Sequence, residues 1–290
     1  MESTIRTPDT SSGIVVGVDP ARDWHLAVAW AADEAHRRRL PLRLVLAVPP
    51  QHDTQHVDGT PQQTALRRSG ADRLDQAASW VSDRHPEATV GTDLVEGVPA
   101  QVLVAQARYA RLVVLGSRHL GRAAGFFSAG STVVPVTAQA TCPVVVVGDA
   151  EHVTQQPAYL VVGIDGSAAA TEALAFAFDE ADRRGAALRV VCVWQPPLFT
   201  LNEEGAALKA QGLLLREATA ALADKYPDVH ATHEVSTGHP VEELARIAEH
   251  ALAVVVGRRG RGGYTGMSLG SVTHGLLHRA HCPVITVPTG

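Results

Sequence analysis

Lysine is nearly absent from this chain: Lys209 and Lys225 are the only two in 290 residues. A kinase-type phosphate loop needs GxxxxGK[ST], and neither lysine lies near a glycine-rich turn, which excludes that loop. Cysteine is scarce as well. Cys142, Cys192 and Cys282 are odd in number and far apart. They offer no disulfide framework and no paired zinc or redox motif, and suit a reducing, cytoplasmic setting; Cys142 and Cys282, each just before a strand, read as buried small residues. No apolar run approaches the roughly 18 residues that span a bilayer, so no membrane partner is expected. Met1–Ser12 is polar and carries acidic residues, which reads as a short disordered lead rather than a secretory signal. Basic excess is missing too. A net charge of −5 and a pI near 6.3 argue against nucleic acid as a partner. What is present is 46% apolar residues, enough for a globular core, in a length suited to about two domains.

The chain is one unit written twice. Gly13-Ile-Val-Val-Gly-Val-Asp19 returns as Leu160-Val-Val-Gly-Ile-Asp165, Asp33-Glu34-Ala35 as Asp179-Glu180-Ala181, and Leu42–Val48 as Leu188–Trp194. Gly97 then answers Gly238, Gly116 answers Gly257, and Cys142-Pro143 answers Cys282-Pro283. The period is domain-sized, so it marks tandem duplication and not a solenoid. Domains are expected at 1–150 and 157–290, with Glu151–Pro157 as the link.

Within each half, strand-like runs alternate with helical patterns. In the first half the expected order is strand Ile14–Val18, helix Asp23–Arg38, strand Leu42–Val48, helix Thr64–Arg84 and strand Thr89–Val95. Helix Pro99–Tyr109, strand Leu112–Leu115, a glycine turn, helix Ser131–Ala140 and strand Pro143–Val147 follow. Continuous apolar strands read as covered on both faces, and the more polar Thr89–Val95 as a sheet edge. His52–Pro61 and Leu198–Gly205 read as loops. Alternation with short links implies an α/β fold with a parallel sheet, right-handed crossovers and helices on both faces. Ligands on such sheets bind at the carboxyl ends of the strands, where the order reverses.

The stretch with most chemistry is Gly257–Ser271, GRRGRGGYTGMSLGS. It lies between a branched apolar run and a helix-like segment, the layout of a phosphate-binding turn. Its glycines, Gly257, Gly260, Gly262, Gly263 and Gly266, let backbone approach a ligand closely. Gly270 and Ser271 open the helix, whose unpaired N–H groups attract anions. Arg258, Arg259 and Arg261 can pair with phosphates, with at least one of them solvated. Asp19 and Asp165 follow the first strand of each half. A carboxylate there either holds a ribose hydroxyl or an amine, or caps the next helix, as Asp165-Gly-Ser167 would do well. The ends of the second strands, Ala47-Val48 and Val193-Trp194, could hold a base or be ordinary core.

Gly257-x2-Gly260-x9-Gly270-Ser271 resembles the nucleotide-binding pattern of the universal stress proteins. The resemblance covers Gly13–Val147 and Leu160–Val287, and is greatest to tandem-domain, ATP-binding members. It implies two Rossmann-like domains, each a five-stranded parallel sheet, doubly wound in the order 3-2-1-4-5. It also implies a cytoplasmic stress sensor or regulator that binds ATP, with Mg2+ as a possible companion. For the second half it assigns the nucleotide to Gly163, Asp165, Trp194, Gly257, Arg258, Arg259, Gly260, Arg261, Gly262, Gly263, Gly270, Ser271 and Val272. In the first half the matching positions are Gly17, Asp19, Val48, Gly116, Ser117, Arg118, His119, Gly121, Gly130, Ser131 and Thr132. His119 stands where the pattern has glycine, and one extra residue lies between Gly125 and Gly130. A β-carbon at 119 bars a φ > 0 turn or crowds the phosphates, so the first site is expected to be the weaker.

Rival readings are a slow ATPase or phosphotransferase, which needs a positioned base or metal ligands, and a scaffold with vestigial sites. NAD is disfavoured because the glycines follow the fourth strand and not the first. His274, His278 and His281 have metal-like spacing, but the first half places Val134, Ala138 and Thr141 there, and a solvated helix end accounts for them. The resemblance also implies that the last strands pair across a two-fold axis. Here both lie on one chain, so Val144–Val147 is expected to run antiparallel to Val284–Val287 as an intrachain pseudo-dimer, with outer helices left for a homodimer.

Overall fold

A computed structural model describes residues 13–20, 23–48, 61–117, 132–148, 152–195, 204–261 and 269–289. The N-terminal lead lies outside them. The first repeat is β1 (Ile14–Gly17), α1 (His25–Arg38), β2 (Leu42–Val48), α2 (Pro61–Arg84), β3 (Val90–Glu96), α3 (Pro99–Ala107), β4 (Leu112–Gly116), α4 (Val133–Gln139) and β5 (Val144–Val147). The second is β6 (Tyr159–Gly163), α5 (Ala168–Arg184), β7 (Ala187–Trp194), α6 (Glu204–Lys225), β8 (Ala231–Thr237), α7 (Pro240–Ile247), β9 (Val254–Gly257), α8 (Ser271–Arg279) and β10 (Val284–Val287). Strand order within each repeat is 3-2-1-4-5.

Two compact units divide inside β4, between Val113 and Val114. In the first, β2 pairs parallel with β1 (Ile14↔Leu42) and with β3 (Leu42↔Val90). Arg111 N–H donates to Gly13 O at 2.8 Å, which brings the start of β4 beside β1. The polar β3 stands at the end of the strand order, as its composition implies. In the second unit the order is β5-β10-β9-β6-β7-β8. β10 runs parallel to β9, β9 to β6, β6 to β7 and β7 to β8, whereas β5 and β10 are antiparallel, with Val284↔Val146, Ile285↔Val145 and Thr286↔Val144. That is the pairing expected from the two apolar end strands, and it buries both of them. An unpaired row of N–H and C=O groups on so apolar a strand would be an aggregation edge.

Local chemistry explains the helix ends. Ser167 caps α5, its Oγ accepting from Ala170 N–H at 3.2 Å. Gly185 ends α5 with φ 57°. The equivalent residue after α1 is Arg39, held at φ 53° despite its β-carbon. Both helices bury a glutamate near that end, Glu34 and Glu180, at 1% and 0% exposure. Each is paired within its helix, Glu34 with Arg37 and Arg38, Glu180 with Arg184. A buried carboxylate is tolerable only with such partners. Two loop expectations need correcting at their ends. Pro61 opens α2, since proline fits a first helical turn, and α6 begins at Glu204. The remainder of those two stretches, 52–60 and 198–203, lies outside the described residues. Pro135 falls early in α4, where its missing N–H is tolerated.

Candidate functional site

The second repeat reverses its strand order between β6 and β9, and a cavity of about 530 Å³ opens at the carboxyl ends of these strands. Its polar wall is Asp165, Arg259, Gly260, Arg261, Gly270, Ser271 and Thr273, and its apolar wall includes Val191, Val193, Leu244 and Val256. The volume is in the range that takes a small organic ligand.

Asp165 is the pivot. Its Oδ1 accepts from Ser167 N–H at 2.9 Å, and its Oδ2 accepts from Arg261 N–H at 2.8 Å. The carboxylate thus ties the start of α5 to the glycine turn, while Ser167 does the capping. The expected side-chain cap of α5 is thus Ser167 and not Asp165, which orders the turn before the helix and lines the cavity. Gly260 packs so closely on it that a β-carbon would collide with Oδ2. Gly257 is equally confined, since a β-carbon there would lie 2.7 Å from the backbone of Ala169. These two glycines are needed for close approach and not for unusual dihedrals.

The turn is pinned at both ends. Gly270 N–H donates to Arg258 O at 2.9 Å, and Thr273 Oγ1 donates to Gly257 O at 2.8 Å. Gly270 is the N-cap of α8, and no side chain caps that helix. Its first-turn N–H groups, beginning with Ser271 and Val272, keep the partial positive charge of a helix N-terminus beside the cavity.

Placement of the expected residues is selective. Gly163, Asp165, Gly257, Arg259, Gly260, Arg261, Gly270, Ser271 and Val272 line the cavity. Trp194 does not, because alternation along β7 puts Val193 and Gln195 on the cavity side. Arg258 is also turned away: its Nη1 donates to Ala140 O at 2.8 Å, at the end of α4. Burial holds its guanidinium below the usual range, with Arg259 adding to the effect. Gly262 and Gly263, with Gly266, lie outside the described residues. The apolar wall from α7, Pro240 and Leu244, carried no motif and was legible only as ordinary helix core.

In the first repeat Gly17 ends β1 and the buried Val48 ends β2, with Asp19 exposed after β1. Gly116 ends β4, Ser117 N–H donates to Val147 O at 2.7 Å, and Thr132 precedes α4 without capping it through its side chain. Arg118, His119, Gly121, Gly130 and Ser131 lie outside the described residues. His274 and His278 sit 4.6 Å apart between ring centroids on α8. With His281 they do not gather as a ligand group; among the described residues that arrangement occurs at His36, His85 and Glu87. No helix among the described residues is long and apolar enough to cross a membrane.

The comparisons agree with this architecture. The model of the universal stress protein family matches residues 12–148 and again 159–288. A universal stress protein of Mycolicibacterium smegmatis is 36% identical over 292 residues, covering 96% of this chain and 97% of its own. One from Mycobacterium tuberculosis is 34% identical over 297 residues, covering 96% of each. The crystal structure of a universal stress protein from Archaeoglobus fulgidus superposes with a TM-score of 0.74 over 97% of this chain and 98% of that one, at 16% identity. With its domain written twice and matched twice along nearly the whole length, this chain belongs to the universal stress protein family.

Proposed function

We propose that the chain is a cytoplasmic stress-response sensor or regulator that binds ATP in its second repeat without fast turnover. The observation that carries this reading is the Asp165 clamp: one carboxylate that accepts from Ser167 N–H at the start of α5 and from Arg261 N–H in the glycine turn, and so holds the proposed phosphate end of the cavity against the end of β6. The remaining lone pairs of Asp165 face a space where ribose hydroxyls would donate to them. Val191 and Val193 supply an apolar bed for the base, and the α8 N-terminus with Arg259 and Arg261 supplies positive charge for the phosphates. The residues present fit a nucleotide. Mg2+ would ride on the phosphates and water, since Asp165 is the one carboxylate among the described lining residues.

The same donor set favours binding over catalysis. Phosphoryl transfer needs a positioned base or metal ligands beside the γ-phosphate, and no described lining residue is a histidine, glutamate or lysine. Domains at 1–150 and 157–290, a weaker first site with His119 in its turn, and homodimers through outer helices complete the proposal. Calorimetry of the full chain with ATP tests it. One strong site that weakens in Asp165→Ala is expected, with turnover below one per minute or so as typical enzymes run near 10 s⁻¹. Absence of ATP binding, or loss of stability in Asp165→Ala with binding unchanged, would leave Asp165 a purely structural residue.

A further inference from the structure

A second site lies in the first unit, well away in sequence from the glycine turns. His36 near the end of α1 and His85 and Glu87 just beyond α2 bring three ligand atoms within 4.8 Å of one another. His36 Nδ1 is 2.6 Å from Glu87 Oε1, and His85 Nδ1 is 3.9 Å from the same oxygen. The other nitrogen of His85, Nε2, meets Asp33 Oδ1 at 2.8 Å. Asp33 is held in turn by Arg84, whose Nε and Nη2 donate to its two oxygens at 2.8 and 2.9 Å. A carboxylate on one imidazole nitrogen sets the tautomer, leaving Nδ1 of His85 as a lone pair aimed at the cluster. That is the usual outer partner of a metal-bound histidine.

We propose that His36, His85 and Glu87 form a three-ligand site for a divalent transition cation of the zinc type, with an open fourth position. Two imidazoles and one carboxylate are zinc ligands; magnesium and calcium prefer oxygen alone. Tetrahedral zinc with bonds of about 2.0–2.2 Å sets its ligand atoms about 3.3 Å apart, between the 2.6 Å and 3.9 Å that separate the two histidines from Glu87 Oε1, so the side chains must shift by less than an ångström. The two rings lie nearly parallel, 19° between planes with centroids 4.7 Å apart, so they tilt toward the ion as it enters. Zinc also replaces the proton that His36 shares with Glu87. The second repeat carries Asp182, Tyr226 and Asp228 at these places. The repeated fold thus accepts other residues at both histidine positions, and the meeting of the two is particular to the first repeat. Bound metal ties the end of α1 to the turn before β3, so it stabilises the first unit by mass action.

The test is zinc titration of the full chain, freed of metal by chelation and followed by calorimetry, with Co2+ absorption as a report of tetrahedral coordination. One zinc per chain is expected. His36→Ala and His85→Tyr should each weaken it at least tenfold; His36 is half exposed, and tyrosine is what the second repeat holds at the other position. Asp33→Asn, acting only through His85, should weaken zinc about 10–100-fold. His274→Ala with His278→Ala should change nothing. Equal zinc affinity in His36→Ala and the parent, or loss of binding only in the α8 variant, would overturn the assignment.

Discussion

Replacing Gly260 by alanine probes the proposed nucleotide site at its tightest point. The added β-carbon falls inside hard contact with Asp165 Oδ2 and 3.5 Å from Cγ. Either the carboxylate or the turn must give. If the turn gives, the bond from Arg261 N–H to Oδ2, now 2.8 Å, is lost. A hydrogen bond to a charged group contributes about 1.5–3 kcal/mol, and the exposure of Asp165 puts this one at the low end. Some 1.5 kcal/mol corresponds to roughly tenfold in affinity. Calorimetry with ATP should therefore show the variant about tenfold weaker, because binding must re-form the turn, with stability lowered by no more than the same ~1.5 kcal/mol. The clash requires the carboxylate, so Asp165→Ala should relieve it, and the double variant should bind little worse than Asp165→Ala alone. Full additivity across that cycle, or unchanged affinity in Gly260→Ala, would refute a turn held by Asp165.

Three further outcomes are expected. Arg261→Ala should weaken ATP while Arg258→Ala leaves affinity unchanged and lowers the melting temperature, because Arg258 bonds to Ala140 and not to the cavity; paired calorimetry and melting separate them. Val145→Pro should cost about 3 kcal/mol or more in denaturant titration, since Val145 is wholly buried and opposite Ile285 in the β5–β10 ladder. Burial pushes the Cys282 thiol from near 9.0 up to about 12. The folded state keeps this proton while the unfolded state loses it, so stability is intact below about pH 9 and falls as pH rises toward 12. Above pH 9 the parent should lose stability faster than Cys282→Ala, by at most about 1.4 kcal/mol per pH unit, and native Cys282 should resist thiol reagents.

Sequence alone carried the duplication, the run of strands and helices, and the glycine turn at the end of a strand. These are properties of neighbours along the chain: branched apolar runs, helical spacing, and glycine where backbone must approach backbone. The strand order came with the family resemblance and not from any local pattern, whereas the β5–β10 pairing was also legible in the residues, because so apolar a pair of end strands has to be covered. Which face of a strand or turn meets the cavity was decided elsewhere. Period-two alternation makes Val193 and Trp194 equally eligible, and only the packing of β7 among its neighbours puts Val193 on the open side. Arg258 and Arg259 are likewise adjacent and alike in charge, yet one reaches Ala140 from the first repeat and the other the cavity. Arg39 holds a left-handed backbone where the other repeat has Gly185. Its own residue type argues against that conformation, and the closing bond from Leu40 N–H to Ala35 O, together with the strand that follows, imposes it. His36, His85 and Glu87 share no motif at all. His36 stands about fifty residues before His85 and Glu87, and only the packing of α1 beside α2 brings it to them, which no local pattern encodes.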